Sequence, residues 1–228
     1  MTKIHPRRAA SLLAVCVLAL TGACTSPDDA SDSATSAGKG DAAATPCAPS
    51  GDTAPAKALL ACGEHSIVYL ETAYASGTGV VIDQGEDLYV LTNLHVIDPF
   101  DAADVTLSDG TSLATLPIVG AEAATDVAVL GPIDGTDADD AALEAVPLEP
   151  TEVDKGDDVF VVGYPGTAGA DAVDLTITSG LVSRRRELPD WDQTYIQTDA
   201  VVEEGQSGGP MFSAGGALVG ITSLALDE

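Results

Sequence analysis

From Ser66 onward the chain alternates short runs of β-branched and apolar residues with turn residues. SIVYLET, GTGVVID and LYVLTN come first, followed by DVTLSDG, SLATLPIVG and DVAVL; the second half adds DVFVVGYPG, DLTITSGLVS, TYIQTDA, GPMFS and ALVGITS. Val, Ile and Thr bounded by Gly, Pro, Asp and Ser in this way predict about eleven strands. One helix is predicted, over Ala54–Ala61. No helical period alternates with the strands, so a parallel βαβ sheet is disfavoured. The acidic stretch GTDADDAAL from Gly135 parts the strands into two sets and suits a connection between two barrels. Alternation by itself leads to an antiparallel barrel or sandwich.

The amino-terminal part breaks this pattern. Lys3, Arg7 and Arg8 precede the apolar run SLLAVCVLAL, which is too short to span a membrane as a helix and reads as the core of an export signal. Thr21, Gly22, Ala23 and then Cys24 resemble the lipobox of bacterial lipoproteins, in which the cysteine is lipidated and becomes the new amino terminus. Leu20 stands one place earlier than that pattern has it, and an ordinary cleaved signal with an incidental cysteine is the other reading. Residues 25 to about 54 are Ser, Thr, Ala, Asp, Gly and Pro with almost no bulky apolar side chains, a composition that predicts a flexible tether. The expected organisation is therefore a leader over residues 1–23, a tether over 24–54 and one folded unit over 55–228. The expected location is the outer face of the cell membrane.

Charge narrows the partners. The 228 residues hold nine basic and 36 acidic side chains, a net of −27; without the leader, six basic residues would face the same 36 acids, a net of −30. Such a surface repels phosphate backbones and argues against nucleic acid. It could favour basic substrates, although a solubilising acidic surface is the plainer explanation. Beyond Cys16 and Cys24 in the leader region, Cys47 and Cys62 remain. In an oxidising compartment a bridge between them would stabilise the fold by about 3 kcal/mol in the chain-entropy account, and two free thiols are the alternative. No CxxC spacing is present and His65 is the one histidine nearby, so no metal site is expected. No cofactor is expected either.

One cluster carries chemistry. GQSGGP, from Gly205 to Pro210, brackets a serine with glycines that allow a tight turn, so that the amides of Gly205 and Ser207 could converge on a developing oxyanion. Of three histidines, His5 lies in the leader and His65 at the start of a predicted strand. That leaves His95, at the end of the apolar strand LTNLHVI, as the base. Asp126, opening DVAVL, is a candidate for the carboxylate that orients the imidazole; among 36 acids its selection rests on little local chemistry.

The chain order His–Asp–Ser is that of chymotrypsin-like enzymes. LTNLHVI, TDVAVL and IQTDAVVEEGQSGGPMF resemble the three catalytic blocks of the HtrA (Deg) branch of trypsin-like serine proteases, and SGTGVVID, VTLSDGT and VFVVGYPG fit the pieces between them. The resemblance covers roughly residues 60–225. It implies an all-β fold of two six-stranded antiparallel barrels with His95, Asp126 and Ser207 in the cleft between them. It also implies an oxyanion hole at Gly205 and Ser207, and a specificity pocket at Val201 and at Ser223, Leu224 and Ala225. An apolar Val201 argues for a small or medium apolar residue before the scissile bond. The implied activity is a serine endopeptidase acting on exported proteins or peptides through an acyl-enzyme; a catalytically inactive lipoprotein using the same fold as a binding module is the alternative.

Four features depart from that branch. Gln206 replaces Asn or Asp before the serine, a change expected to be neutral because the backbone is what acts there. Glu203 and Glu204 replace an Asn–Pro pair. ALVGITSLALDE stops about where the resemblance requires one more strand to close the second barrel, so that strand is expected to be missing or the barrel to be closed differently, and no PDZ-like segment follows. Arg184, Arg185 and Arg186 form a basic cluster after LTITSGLVS, in a region that is a mobile loop in relatives. It is expected to be a solvated turn or a partner for the acidic surface; an autolysis site is the remaining option.

Overall fold

The computed structural model describes residues 13–17 (backbone only), 47–50, 52–149, 151–166, 174–188 and 193–224. Strand β1 is Leu13–Val17, and helix α1, Pro55–Ser66, precedes a run of six strands. These are β2 (Ile67–Glu71), β3 (Ser76–Gln84), β4 (Asp87–Thr92), β5 (Ala102–Thr106), β6 (Ser112–Glu122) and β7 (Val127–Ile133), with a single helical turn, α2 (Leu94–Ile97), after β4. A short helix, α3 (Gly135–Asp140), leads away from this set. The second set is β8 (Asp158–Gly163), β9 (Thr176–Leu188), β10 (Gln193–Thr198), β11 (Pro210–Ser213) and β12 (Leu218–Leu224). All eleven strands expected from the sequence are present.

Each set curls on itself. The first closes in the order β2-β3-β4-β7-β6-β5, every pairing antiparallel. The second set forms a curled half-barrel, β10-β9-β8-β11-β12, and the backbone of β1 lies in the gap between β10 and β12, antiparallel to both. The place expected to lack a strand is thus filled by part of the apolar run that reads as a leader. Cys24, the tether up to residue 46, Gly51 and Ala225 lie outside the described residues; the tether's last part is described, and its Cys47 is buried.

Period-two alternation sorts the side chains into three layers. On β2, Val68 and Leu70 point into the first barrel with Val81, Val90, Val105 and Leu130, whereas Ile67 and Tyr69 point the other way. On β8, Val159 and Val161 fill the second barrel, and Val162 faces Ile67 and Tyr69. The third layer, holding Leu59, Tyr69, Tyr164 and Phe212, cements one barrel to the other. Tyr164 meets Tyr69 edge to face, with centroids 5.9 Å apart, and its buried hydroxyl donates to the Ile67 carbonyl at 3.0 Å. Burial pushes that phenol well above its usual range, so it stays a donor.

Two local expectations need correction, and the expected disulfide is present. The helix runs to Ser66, because Pro55 at its first turn initiates it and Leu59, Cys62 and Gly63 are buried against the barrels; His65 therefore sits in the helix's last turn and not on a strand. The arginines lie within β9, paired with β10 through Gln197↔Arg184, Ile196↔Arg185 and Tyr195↔Arg186. Ladder hydrogen bonding, which a run of three charges hides, makes a strand of the expected turn. Arg185 donates to the Val153 carbonyl at 3.2 Å, and none of the three makes an ion pair among the described residues. Cys47 and Cys62 form a disulfide. It ties the segment before α1 to that helix, and the Cys47 backbone packs on Gly216 in the β11–β12 turn.

A chain lacking residues 1–23 has no β1, so the facing edges of β10 and β12 should be unpaired. Amide exchange at Ile196 and Ser223 is then expected to run at least about tenfold faster than in the full chain, with a peptide spanning Ser11–Leu20 restoring protection, whereas Thr222, whose amide donates to the Gly209 carbonyl, should not change. Equal protection in both chains would contradict this register.

Candidate functional site

His95, Asp126 and Ser207 come from three separate connections, and the structure shows how each is delivered. β4 ends at Thr92, and the chain turns through Asn93 into α2, which carries His95 with half of its side chain exposed. Val96 and Ile97 of the same turn are buried in the first barrel, so the helical turn is anchored by its apolar neighbours while the imidazole faces out. Asp126 is the last residue before β7 and has a φ of 54°. Aspartate tolerates this left-handed conformation better than most residues, and held strain of this kind concentrates at functional positions.

The Asp126–His95 contact is specific. Asp126 Oδ2 accepts from His95 Nδ1 at 2.6 Å and Oδ1 accepts from the His95 amide at 2.9 Å, so both carboxylate oxygens grip one residue. Its own carbonyl accepts from Asn93 Nδ2 at 2.9 Å and from the Leu94 amide at 3.2 Å. Ser223 adds a hydroxyl bond to Oδ2 at 3.3 Å. Partial burial works to raise the Asp126 carboxyl, but the bonds from the His95 ring, the His95 amide and Ser223 outweigh it and hold the group below the ordinary aspartate range. A carboxylate on Nδ1 fixes the tautomer with the proton there and leaves Nε2 as the acceptor.

Ser207 is buried in the turn between β10 and β11. Gly205 has a φ of 94° and packs so closely on the Tyr164–Gly166 segment that a Cβ would stand 2.2 Å from the Gly166 nitrogen. Gly208, φ 82°, lies against β3 and the end of β4; a Cβ there would be 2.1 Å from Thr92 Oγ1 and 3.1 Å from the Asn93 nitrogen. The serine turn is therefore pressed against the residues that lead into His95. It is also joined to the Asp126 side, because the amide of Gly208 donates to the carbonyl of Thr222, the neighbour of Ser223. No hydrogen bond links Ser207 to His95 in this conformation. Catalytic contacts of this kind are often loose without substrate.

Within the turn, Gln206 N donates to Glu203 O, Gly208 N to Thr222 O and Gly209 N to Gln206 O. The amides of Gly205 and Ser207 donate to nothing among the described residues, which leaves them available to an incoming oxygen. Glu203 and Glu204 are exposed, as is Val201 at 64%, whose carbonyl accepts from Thr178 Oγ1 at 2.6 Å. Ser223 spends its hydroxyl on Asp126, and Leu224 pairs with Leu13 at the end of β12.

Thr78 escaped the sequence analysis. It is fully buried on β3, donates its amide to Ser207 O at 2.8 Å and its hydroxyl to Gly205 O at 2.9 Å, and accepts at that hydroxyl from Tyr164 N at 3.0 Å. The available signal was a lone hydroxyl between two glycines in an otherwise apolar strand, SGTGVVID.

The profile of one protein family, described as a trypsin-like peptidase domain, matches residues 77–221, from β3 into β12. Serine endoprotease DegS of Escherichia coli K12 is 36% identical over 156 residues, which is 67% of this chain and 40% of that protein. A probable periplasmic serine endoprotease, DegP-like, of Brucella suis is 40% identical over 157 residues, 67% of this chain and 28% of its own length. A DegP-like counterpart in Pseudomonas savastanoi is 40% identical over 149 residues, 64% and 28% of the two chains. The chain thus spans two fifths or less of these relatives.

The Asp126 carboxyl should titrate below the value of about 3.9 expected for an unfolded chain, and Ser223→Ala should move it upward. A folded carboxyl made more acidic contributes stability that is present above the unfolded value and is lost as pH falls through the folded one. Carbon-detected NMR titration of Asp126 in both proteins checks the direction; an unshifted value in each would contradict the hydrogen-bond assignment.

Proposed function

The chain belongs to the trypsin-like peptidase family, and on that premise we propose that it is an exported serine endopeptidase working through an acyl-enzyme on Ser207. The observation that carries this reading is the two-point grip of Asp126 on His95, which presents Nε2 as a base. His95 Nε2 takes the proton of Ser207 Oγ as the oxygen attacks the peptide carbonyl. The oxyanion settles between the amides of Gly205 and Ser207. His95 then returns the proton to the leaving amine as the C–N bond breaks. Water, deprotonated by the same nitrogen, cleaves the ester and releases the acid. Asp126 stays ionised and stabilises the imidazolium throughout.

The apolar run and small residues before Cys24 support export with a lipid anchor on that cysteine, and cleavage there would remove β1 and leave the β10–β12 gap open in the processed chain. The names of the DegP-like relatives, which are periplasmic endoproteases, support an extracytoplasmic place of action. Exported or unfolded proteins are the proposed substrates, and Val201 in the pocket region supports a small or medium apolar side chain before the cut. A binding module built on the same fold is the second reading. It draws on the absent Ser207–His95 hydrogen bond and on the exposed Glu203–Glu204 pair beside the oxyanion turn.

A fluorophosphonate probe should label the protein once, and Ser207→Ala should abolish labelling; equal labelling of both would overturn the nucleophile. Casein or peptide turnover should be lost in His95→Ala and fall about 10⁴-fold in Asp126→Asn, since the amide would hold the wrong tautomer. No turnover by wild type together with no labelling would favour the binding module. For the anchor, palmitate incorporation in a bacterial host should disappear in Cys24→Ser, and persistence would reject lipidation at that residue.

A further inference from the structure

The side chain of Gln206 was expected to be idle, and its environment contradicts that. It is 1% exposed, among the most deeply buried side chains of the protein, although it is polar and sits in a loop. Both ends of the carboxamide are engaged. Oε1 accepts from the Glu203 amide at 2.8 Å, and Nε2 donates to Thr176 Oγ1 at 3.0 Å. Thr176, at the start of β9, passes the chain on by donating to the Gly163 carbonyl at 3.1 Å. The Gln206 amide meanwhile donates to Glu203 O at 3.1 Å. Residues 203 and 206 are therefore bonded reciprocally, main chain to main chain and side chain to main chain, and the pair is pinned to the rim of the second barrel.

This matters because of what the turn contains. Between the two ends lies Gly205, at positive φ, and glycine turns reorient their peptide planes at little steric cost. Thr78 holds the carbonyls of Gly205 and Ser207 from the first barrel, and the Gly166 amide donates to the Glu204 carbonyl, but neither touches the amide of Glu203, where the chain enters the turn. The Gln206 carboxamide does so. A shorter side chain would not span from Glu203 N to Thr176 Oγ1.

We propose that Gln206, through Thr176, is a positioning residue that holds the Gly205–Ser207 turn in the conformation that presents both amides to an oxyanion. It touches no substrate. The inference rests on the protease reading for its catalytic consequence, but the clasp itself can be measured without activity.

Thr176→Val removes the acceptor for Nε2 with little change of shape and lies off the turn; Thr176→Ser keeps the hydroxyl. Gln206→Met is the companion variant, with similar length and no carboxamide. In nitrogen-15 relaxation-dispersion NMR, the Gly205 and Ser207 amides should show new exchange in Thr176→Val and Gln206→Met but not in Thr176→Ser, while core amides such as Val161 stay unchanged. In peptide hydrolysis, kcat should fall about tenfold to a hundredfold in both disruptive variants with KM within about twofold. Affinity for a peptide aldehyde, which forms an oxyanion on the serine, should fall in parallel with kcat. The double variant should be no worse than Gln206→Met alone, because Thr176 acts on the turn only through the Gln206 carboxamide. Unchanged exchange and unchanged aldehyde affinity in a folded Thr176→Val protein would overturn the proposal. If wild type neither cleaves peptides nor reacts with fluorophosphonate, the protease reading fails, and the NMR comparison still decides whether the clasp orders the turn.

Discussion

Thr78 joins the two halves of the molecule at the serine turn. Its amide and hydroxyl reach Ser207 and Gly205 in the turn of the second half. Its carbonyl accepts from Thr92 Oγ1 at 2.7 Å, and its hydroxyl accepts from Tyr164 N. Four hydrogen bonds on one fully buried residue link β3, the end of β4, the segment after β8 and the serine turn. A buried polar group of this sort is costly unless every bond is made, so the arrangement tolerates few alternatives. Once β3 is fixed in the first barrel, the serine turn has a defined place, and β4 carries His95 to its edge.

The electrostatics of the cleft follow from that placement. The protein is strongly acidic, yet His95–Asp126 is the one ion pair among its described residues. The remaining acids among the described residues are mostly exposed and solvated, where their mutual effect is weakened by salt. Asp126 differs because three donors, the His95 ring, the His95 amide and Ser223, converge on its carboxylate and keep it ionised against partial burial, while Asn93 and the Leu94 amide hold its carbonyl. An anionic partner held on Nδ1 is what a histidine base requires. Excess negative charge elsewhere is a property of the surface and leaves this local balance to hydrogen bonds.

Strand positions were legible in the sequence because alternation and turn residues are local signals, and all eleven expected strands from β2 to β12 are present. Ser207 and His95 were legible for a different reason: glycines around a serine and a shortage of histidines leave few choices. Asp126 was hidden among 36 acids, since what singles it out is a positive φ and a grip on a residue 31 positions away. Thr78 was missed, Ser223 was read only as a pocket residue and Gln206 as a neutral replacement, because each acts through a contact with distant chain. The Arg184–Arg186 strand and the last turn of α1 were misread where pairing or burial overrode residue type. Filling of the β10–β12 gap by Leu13–Val17 could not be read from a run whose composition is that of an export signal.

The central claim is that the folded chain brings Ser207 and the free nitrogen of His95 to one substrate carbonyl. A peptide chloromethyl ketone with a small apolar residue next to the reactive carbon tests it directly, because the reagent alkylates a histidine only when a nearby serine first holds its carbonyl. Intact-mass analysis and peptide mapping should find a single adduct on His95, formed in wild type and suppressed in Ser207→Ala. No adduct, or one on His65 or elsewhere that forms equally well without Ser207, would contradict the account.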